Sequence, residues 1–328
     1  MRLPTPRGPL GHALHALLAR APETDTSPTA PDTLRDALRG ADEEDRALSL
    51  WVLHELHYRG FDAVDDRWEW HPALAGVRHD LERELEERVR TRFAQAWTGD
   101  LPAPADLAET LFTMAETHEG PSLARHVERR ATPEQVDDLL RQRSLYHLKE
   151  ADPTSWVVPR LAAAPKAALV QVQYDEYGAG RADAVHQELF RAGMSEVGLD
   201  ASYGAFVDEA VLSTLEQNNV LSLFGLHRRL RGAAVGHFAA FEATSSLPSR
   251  RLAAGLRRLG YADAMAAYYD EHVEADAVHE QLAAREVCGA LVAAEPDLVE
   301  DVVMGAWACL DLETRSALAL LERWEVAA

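Results

Sequence analysis

Apolar positions recur along this chain at helical intervals almost without interruption. Leu48, Val52, Leu53 and Leu56 fall on one face of a stretch from Asp42 to Tyr58, the spacing of an amphipathic helix. Gly60 ends it, and Phe61 to Pro72 reads as a connector. A long charge-laced helix is expected over Ala73 to Trp97, and shorter ones over Asp106–Glu116 and Ser122–Arg130. Thr132-Pro133-Glu134-Gln135 is a helix start: Thr as N-cap, Pro in the first turn, Gln placed to close a capping box. That helix should reach about Glu150, where Asp152-Pro153 stops it. Further helical stretches fit Pro165 to Tyr177, Ala182 to Ala192, Phe206–Asn218, Val220–Leu230, Gly236–Thr244, Ser249–Leu259, Asp270–Glu286, Leu298–Leu310 and Leu312–Trp324. No segment alternates with the period of a strand, so the pattern predicts an all-α protein.

The first 33 residues read as a flexible segment with a short helix from Leu10 to Leu18, followed by a Pro-rich polar linker. Residues 34–131 form a first helical region, suited to packing on the rest or to pairing two chains, and 132–328 a second unit. The 54 acidic residues against 33 basic ones give a net charge of -21. Such a surface repels phosphate backbones and argues against nucleic acid as a partner. No apolar run reaches the roughly 20 residues that span a bilayer, and no signal peptide is evident. Cys288 and Cys309 lie in apolar helical surroundings without CxxC spacing, as buried thiols of a cytoplasmic protein do.

The candidate chemistry begins with the helix Asp270–Glu286. His272, Asp276 and His279 stand at i, i+4 and i+7 and share one stripe, which makes half of a metal site. Three other places set carboxylates or an imidazole on core-like helices: Glu150, the pair Glu176 and His186, and Glu242 among Ala and Phe. On a straight helix Glu176 and His186 would lie about 80° from a common face; Gly178 and Gly180 between them allow a break that re-aims both. Ala182-Asp183-Ala184-Val185-His186 is repeated at Ala275-Asp276-Ala277-Val278-His279. A carboxylate-x-x-His pair on each of two helices, with Glu from others, is how helical bundles hold two metal ions. Mixed oxygen and imidazole donors suit iron or manganese. His54 and His57 sit one turn apart but in a helix read as charged and amphipathic, and His71, His118 and His126 lack carboxylate partners at useful spacing.

This set resembles the haem-oxygenase-like di-iron oxidases and oxygenases, also labelled iron-containing redox enzymes. The resemblance rests on Glu150, on Glu176 and His186 across a broken helix, on Glu242, and on His272, Asp276 and His279 as HxxxDxxH. Residues 132–325 carry it, and Glu55 to Phe61 with Trp68-Glu69-Trp70 extend it to the N-terminal helices. It implies a haem-oxygenase-like bundle that holds two irons through those seven residues and takes O2 through a peroxo-di-iron species. It also implies an external electron donor. Glu176 is similar to the extra carboxylate of members that oxygenate nitrogen, and Asp183 stands as either an eighth ligand or a partner of His186.

The expected function is therefore oxidation of an amine or amidine/guanidine-type nitrogen to a hydroxylamine, nitroso or nitro product in specialised-metabolite biosynthesis. Related enzymes acting on carbon, by desaturation or decarboxylative or C–C cleavage, are the alternative, and a non-catalytic helical binding protein is a third. Asp175 and Tyr177 are weighed as substrate contacts against their readings as helix surface and core aromatic. A homodimer is the expected assembly.

Overall fold

The capping signal at Thr132 forms as its residues dictate. The Thr132 hydroxyl accepts from the Gln135 amide, and the Gln135 side chain accepts from the Thr132 amide. This computed structural model describes residues 1–22 and 32–326, and their side chains apart from 274–277. Among the described residues no strand occurs. The helices are α1 (Pro9–Leu18), α2 (Asp32–Gly40), α3 (Glu43–Glu55), α4 (Pro72–Ala96), α5 (Leu107–Thr117), α6 (Leu123–Arg129), α7 (Pro133–His147) and the single turn α8 (Asp152–Ser155). They continue as α9 (Ala163–Glu176), α10 (His186–Glu196), α11 (Leu212–Leu226), α12 (Arg231–Arg258), α13 (Asp263–Gln281), α14 (Ala290–Ala294) and α15 (Val299–Arg323). No described helix is long and apolar enough to cross a membrane.

The bundle is built around α12, which packs on α13, α15 and α6. Its contact with α15 is backbone to backbone. A Cβ added to Gly236 would sit 2.0 Å from the Val302 carbonyl oxygen, and one added to Gly305 2.0 Å from that of Ala233. Only glycine permits so close a crossing.

Several boundaries differ from the sequence expectation, each for a local reason. The stretches Gly236–Thr244 and Ser249–Leu259 are one helix, running through Pro248. The Thr244 and Ser245 hydroxyls bond back to carbonyls of the preceding turn, and burial of both flanks carries the helix past the proline. Leu298–Leu310 and Leu312–Trp324 likewise merge into α15. α11 runs through Asn218 and Asn219 because both amides find buried acceptors, the carbonyls of Thr214 and Ala47. The helix expected from Ala182 starts only at His186: residues Ala182–Ala184 make a tight turn and Val185 is extended. α13 opens into a wider π-helical stretch over Leu282–Gly289.

At the N-terminus, residues 1–22 are not loose. Leu10, Leu14 and Leu18 are buried, and the buried Asp45 carboxylate accepts from the Leu10 and Gly11 amides at 2.8 Å each. The linker residues 23–31 lie outside the described residues.

α3 is also more deeply placed than its charge suggests. His54 and Glu55 are wholly buried. His54 lies 3.1 Å from Glu82 and 3.3 Å from Asn219, and Glu55 takes the Lys149 ammonium and, at 2.6 Å, the Tyr203 hydroxyl.

Candidate metal centre

Six of the seven residues singled out from the sequence converge: Glu150, Glu176, His186, Glu242, His272 and His279 are all buried. They form two groups. Ligand-type atoms of Glu150, Glu176, His186 and His272 lie within 4.8 Å of one another, and so do those of Glu176, Glu242 and His279. Glu176 belongs to both. One of its oxygens, Oε2, is 2.9 Å from His186 Nδ1, and the other, Oε1, is 3.7 Å from His279 Nδ1. The side chain of Asp276, the seventh, lies outside the described residues.

The backbone explains how Glu176 and His186 meet. Glu176 closes α9, and Gly178, Ala179 and Gly180 all take positive φ, at 73, 52 and 84°. The chain then doubles back so tightly that a Cβ on Gly178 would lie 2.6 Å from the Ala184 carbonyl carbon. His186 begins α10 facing Glu176. Glu150 stands in the turn after α7 rather than on the helix, fixed from behind. Tyr268 donates to its carboxylate at 2.9 Å, and His147 Nδ1 lies 3.0 Å from Oε1. Burial and the Glu150 charge hold the Tyr268 phenol well above its ordinary pKa, which keeps it a donor.

The polarity of the imidazoles is the informative feature. His272 Nδ1 lies 2.8 Å from the Tyr268 carbonyl and must donate to it; the remaining nitrogen, Nε2, faces Glu150 Oε1 at 3.6 Å. His279 repeats this arrangement with its nitrogens exchanged. Nε2 is 3.3 Å from Asp175, so its proton points there, and Nδ1 faces Glu176 and, at 3.6 Å, Glu242. Nδ1 of His186 and Nδ1 of His279 are both buried against carboxylate oxygens. Imidazole nitrogen thus faces carboxylate oxygen around the centre, and a proton or a metal cation between them satisfies both. In the metal-free chain a proton does so. Burial pushes the His279 pKa down, but the bond to and charge of Glu242, with Glu176 and Asp175, raise it to about 9. His186 is also raised, burial being outweighed by Glu176. Burial pushes the Glu150 carboxyl up, but the His147 and His272 charges and bonds leave it well below the usual carboxylate range.

A void of about 10 Å³ lies among Glu150, Glu176, Glu242 and His272, room for one small ion. Oxygen and imidazole donors with this count suit iron or manganese. Beside it a cavity of about 470 Å³ runs from Glu150 and His272 out to Glu116, His118 and Leu247 at the surface.

Some readings need correcting. Asp183 is exposed and turned to Arg181 at 3.8 Å, away from the centre. Asp175 and Tyr177 do not line the large cavity. Asp175 faces His279, and Tyr177 donates to Asp152 at 2.9 Å. His147 and Tyr268 were not anticipated, although their spacing, three residues before Glu150 and four before His272, was there to be read.

The family comparison agrees with this picture. Residues 137–314 match the family described as iron-containing redox enzyme. No curated protein matches the chain. Among solved structures it is similar to a CADD-like protein of unknown function from Nostoc punctiforme. The 2.00 Å crystal structure of that protein is 15% identical, covers 74% of this chain and 97% of its own, and has a TM-score of 0.48. The 1.35 Å structure gives 15%, 75%, 98% and 0.46.

Proposed function

Because this chain belongs to the family of iron-containing redox enzymes, we propose that it is a di-iron N-oxygenase of an amine or amidine/guanidine-type substrate. The observation that carries the reading is the pair of residue groups sharing Glu176, one carboxylate oxygen towards each. Glu150, Glu176, His186 and His272 would hold one iron, and Glu176, Glu242 and His279, with Asp276, the other. Two ferrous ions supply the redox chemistry towards O2. Hydroxylation of the amine puts one oxygen atom on nitrogen. The other becomes water, with two electrons and two protons from an external donor.

The chain's own residues do the rest. Glu176 can shift between the two groups because each oxygen already faces one of them. Tyr268 and His147 keep the Glu150 carboxylate ionised and aimed, and Asp175 and the Tyr268 carbonyl fix the His279 and His272 tautomers, the support that metal-ligating imidazoles require. The cavity brings substrate beside Glu150 and His272, with apolar walls that include Leu123, Leu139, Phe241 and Leu320 and keep water from competing.

Anaerobic Fe(II) titration followed by ¹⁸O2 tests the proposal. Saturation near two irons per chain and label on a product nitrogen are expected. Label on carbon alone would sink the nitrogen assignment in favour of carbon oxidation, and failure to bind iron would sink the whole reading.

A further inference from the structure

The polar groups on the wall of the large cavity are nearly all matched. The Gln142 oxygen accepts from the Val211 amide and the Thr214 hydroxyl at 3.0 Å each, and its nitrogen donates to the Glu209 carbonyl. The Glu313 oxygens take Arg143 at 3.1 Å and Gln217 at 3.3 Å. The Tyr269 hydroxyl makes no bond of proper geometry but has Arg143 beside it; Asn218 has no such neighbour. It is only 1% exposed, its nitrogen donates to the Thr214 carbonyl at 3.0 Å, and its Oδ1 is a buried acceptor with no hydrogen-bond partner. The helix carbonyl fixes which end of the amide is which, so the unmatched atom of this cavity-lining residue is its oxygen. An unmatched buried acceptor is costly, and a ligand donor would offset that cost.

We infer that Asn218 Oδ1 is the anchor for an N–H donor on the substrate, and that the ligand is an apolar body carrying a protonated amine. With Glu313 paired to Arg143 and Glu150 facing His147 and His272, the wall carries one further carboxylate, Glu116, and no further Lys or Arg. The apolar walls fit a hydrocarbon or aromatic body, and about 470 Å³ admits a ligand of small-metabolite size. This inference rests on the amine reading of the same site, but it concerns binding alone and does not depend on iron.

The test therefore uses the metal-free full chain and three probes of one length: n-octylammonium, n-octanol and n-octanoate. Calorimetry should show the ammonium bound at least tenfold more tightly than the other two. Asn218→Leu, which keeps the volume and removes the acceptor, should erase that preference. Asn218→Asp, which keeps an acceptor and adds charge, should retain or raise it, and answers the question if the leucine variant does not fold. Equal binding of alcohol and ammonium by the native chain, or an Asn218→Leu variant with undiminished preference, would overturn the anchor. Iron stoichiometry measured in parallel reports separately on the di-iron reading.

Discussion

Two regions of this molecule bury histidines and carboxylates, and they treat them in opposite ways. Between α3 and its neighbours four buried glutamates each meet a basic partner. Glu55 takes Lys149, Glu82 takes His54 and His227, Glu86 takes Arg229 and Arg90, and Glu216 takes Arg88 and Arg315. At the centre formed by α7, α9, α10, α12 and α13, Glu150 and Glu176 have no Arg or Lys partner among the described residues, and His272 and His279 turn ring nitrogens towards carboxylates. The first region is internally neutralised. The second is one positive charge or more short of neutrality, the condition of a site whose cation comes from outside.

The comparison can be broken at either end. The largest effect is expected from Glu176→Ala, which removes the carboxylate common to both groups. Iron bound at saturation should fall from near two per chain to below one, and turnover by at least four decades, about 5.5 kcal/mol in the barrier. A variant that still bound two irons would mean that the groups are not joined as described. Glu55→Ala strands a buried ammonium, so chemical denaturation should show a loss of about 3–5 kcal/mol, whereas Glu176→Gln in the metal-free chain should cost far less.

His237 sharpens the distinction, being a buried histidine with no carboxylate at all. Burial lowers its pKa to about 4. Above the unfolded value near 6.5 its stability contribution is complete. Below that the unfolded chain takes the proton first, and stability falls until about pH 4, by roughly 3 kcal/mol at most. His237→Phe should flatten that part of the pH profile relative to the native metal-free chain; an unchanged profile would show that the group does not titrate as its burial implies. The smallest effect expected is that of Asp175→Ala, which frees His279 to rotate or change tautomer. Metal affinity, followed with Co(II) absorption, should drop about 10–100-fold with little change in stability.

Much of this centre was legible in the sequence. Helical spacing joined His272 to His279, and the glycines at 178 and 180 announced that Glu176 and His186 could be re-aimed. What could not be read was any contact made across long separations. The helix bearing His54 and Glu55 looked like a solvated face because its partners, Glu82, Lys149, Tyr203 and Asn219, stand 28 to 165 residues away. The repeated Ala-Asp-Ala-Val-His pentapeptide makes the same point. One copy is a tight turn leading into α10 and the other is continuous helix in α13, so surroundings rather than letters chose the backbone. Asp183 was misjudged for that reason.

The contact of Gly236 and Gly305 has a mechanical consequence. Glu242 lies six residues beyond Gly236 on the same helix, about 9 Å along the axis. With carbonyl oxygens where side chains would otherwise stand, α12 cannot slide or roll on α15 without collision. The crossing works as a fixed stop, and the span between Glu242 and the carboxylates of Glu150 and Glu176 is calibrated from it. A single methyl at position 236 would act as a shim, moving Glu242 outward and detuning the separation of the two groups while leaving every candidate ligand in the sequence.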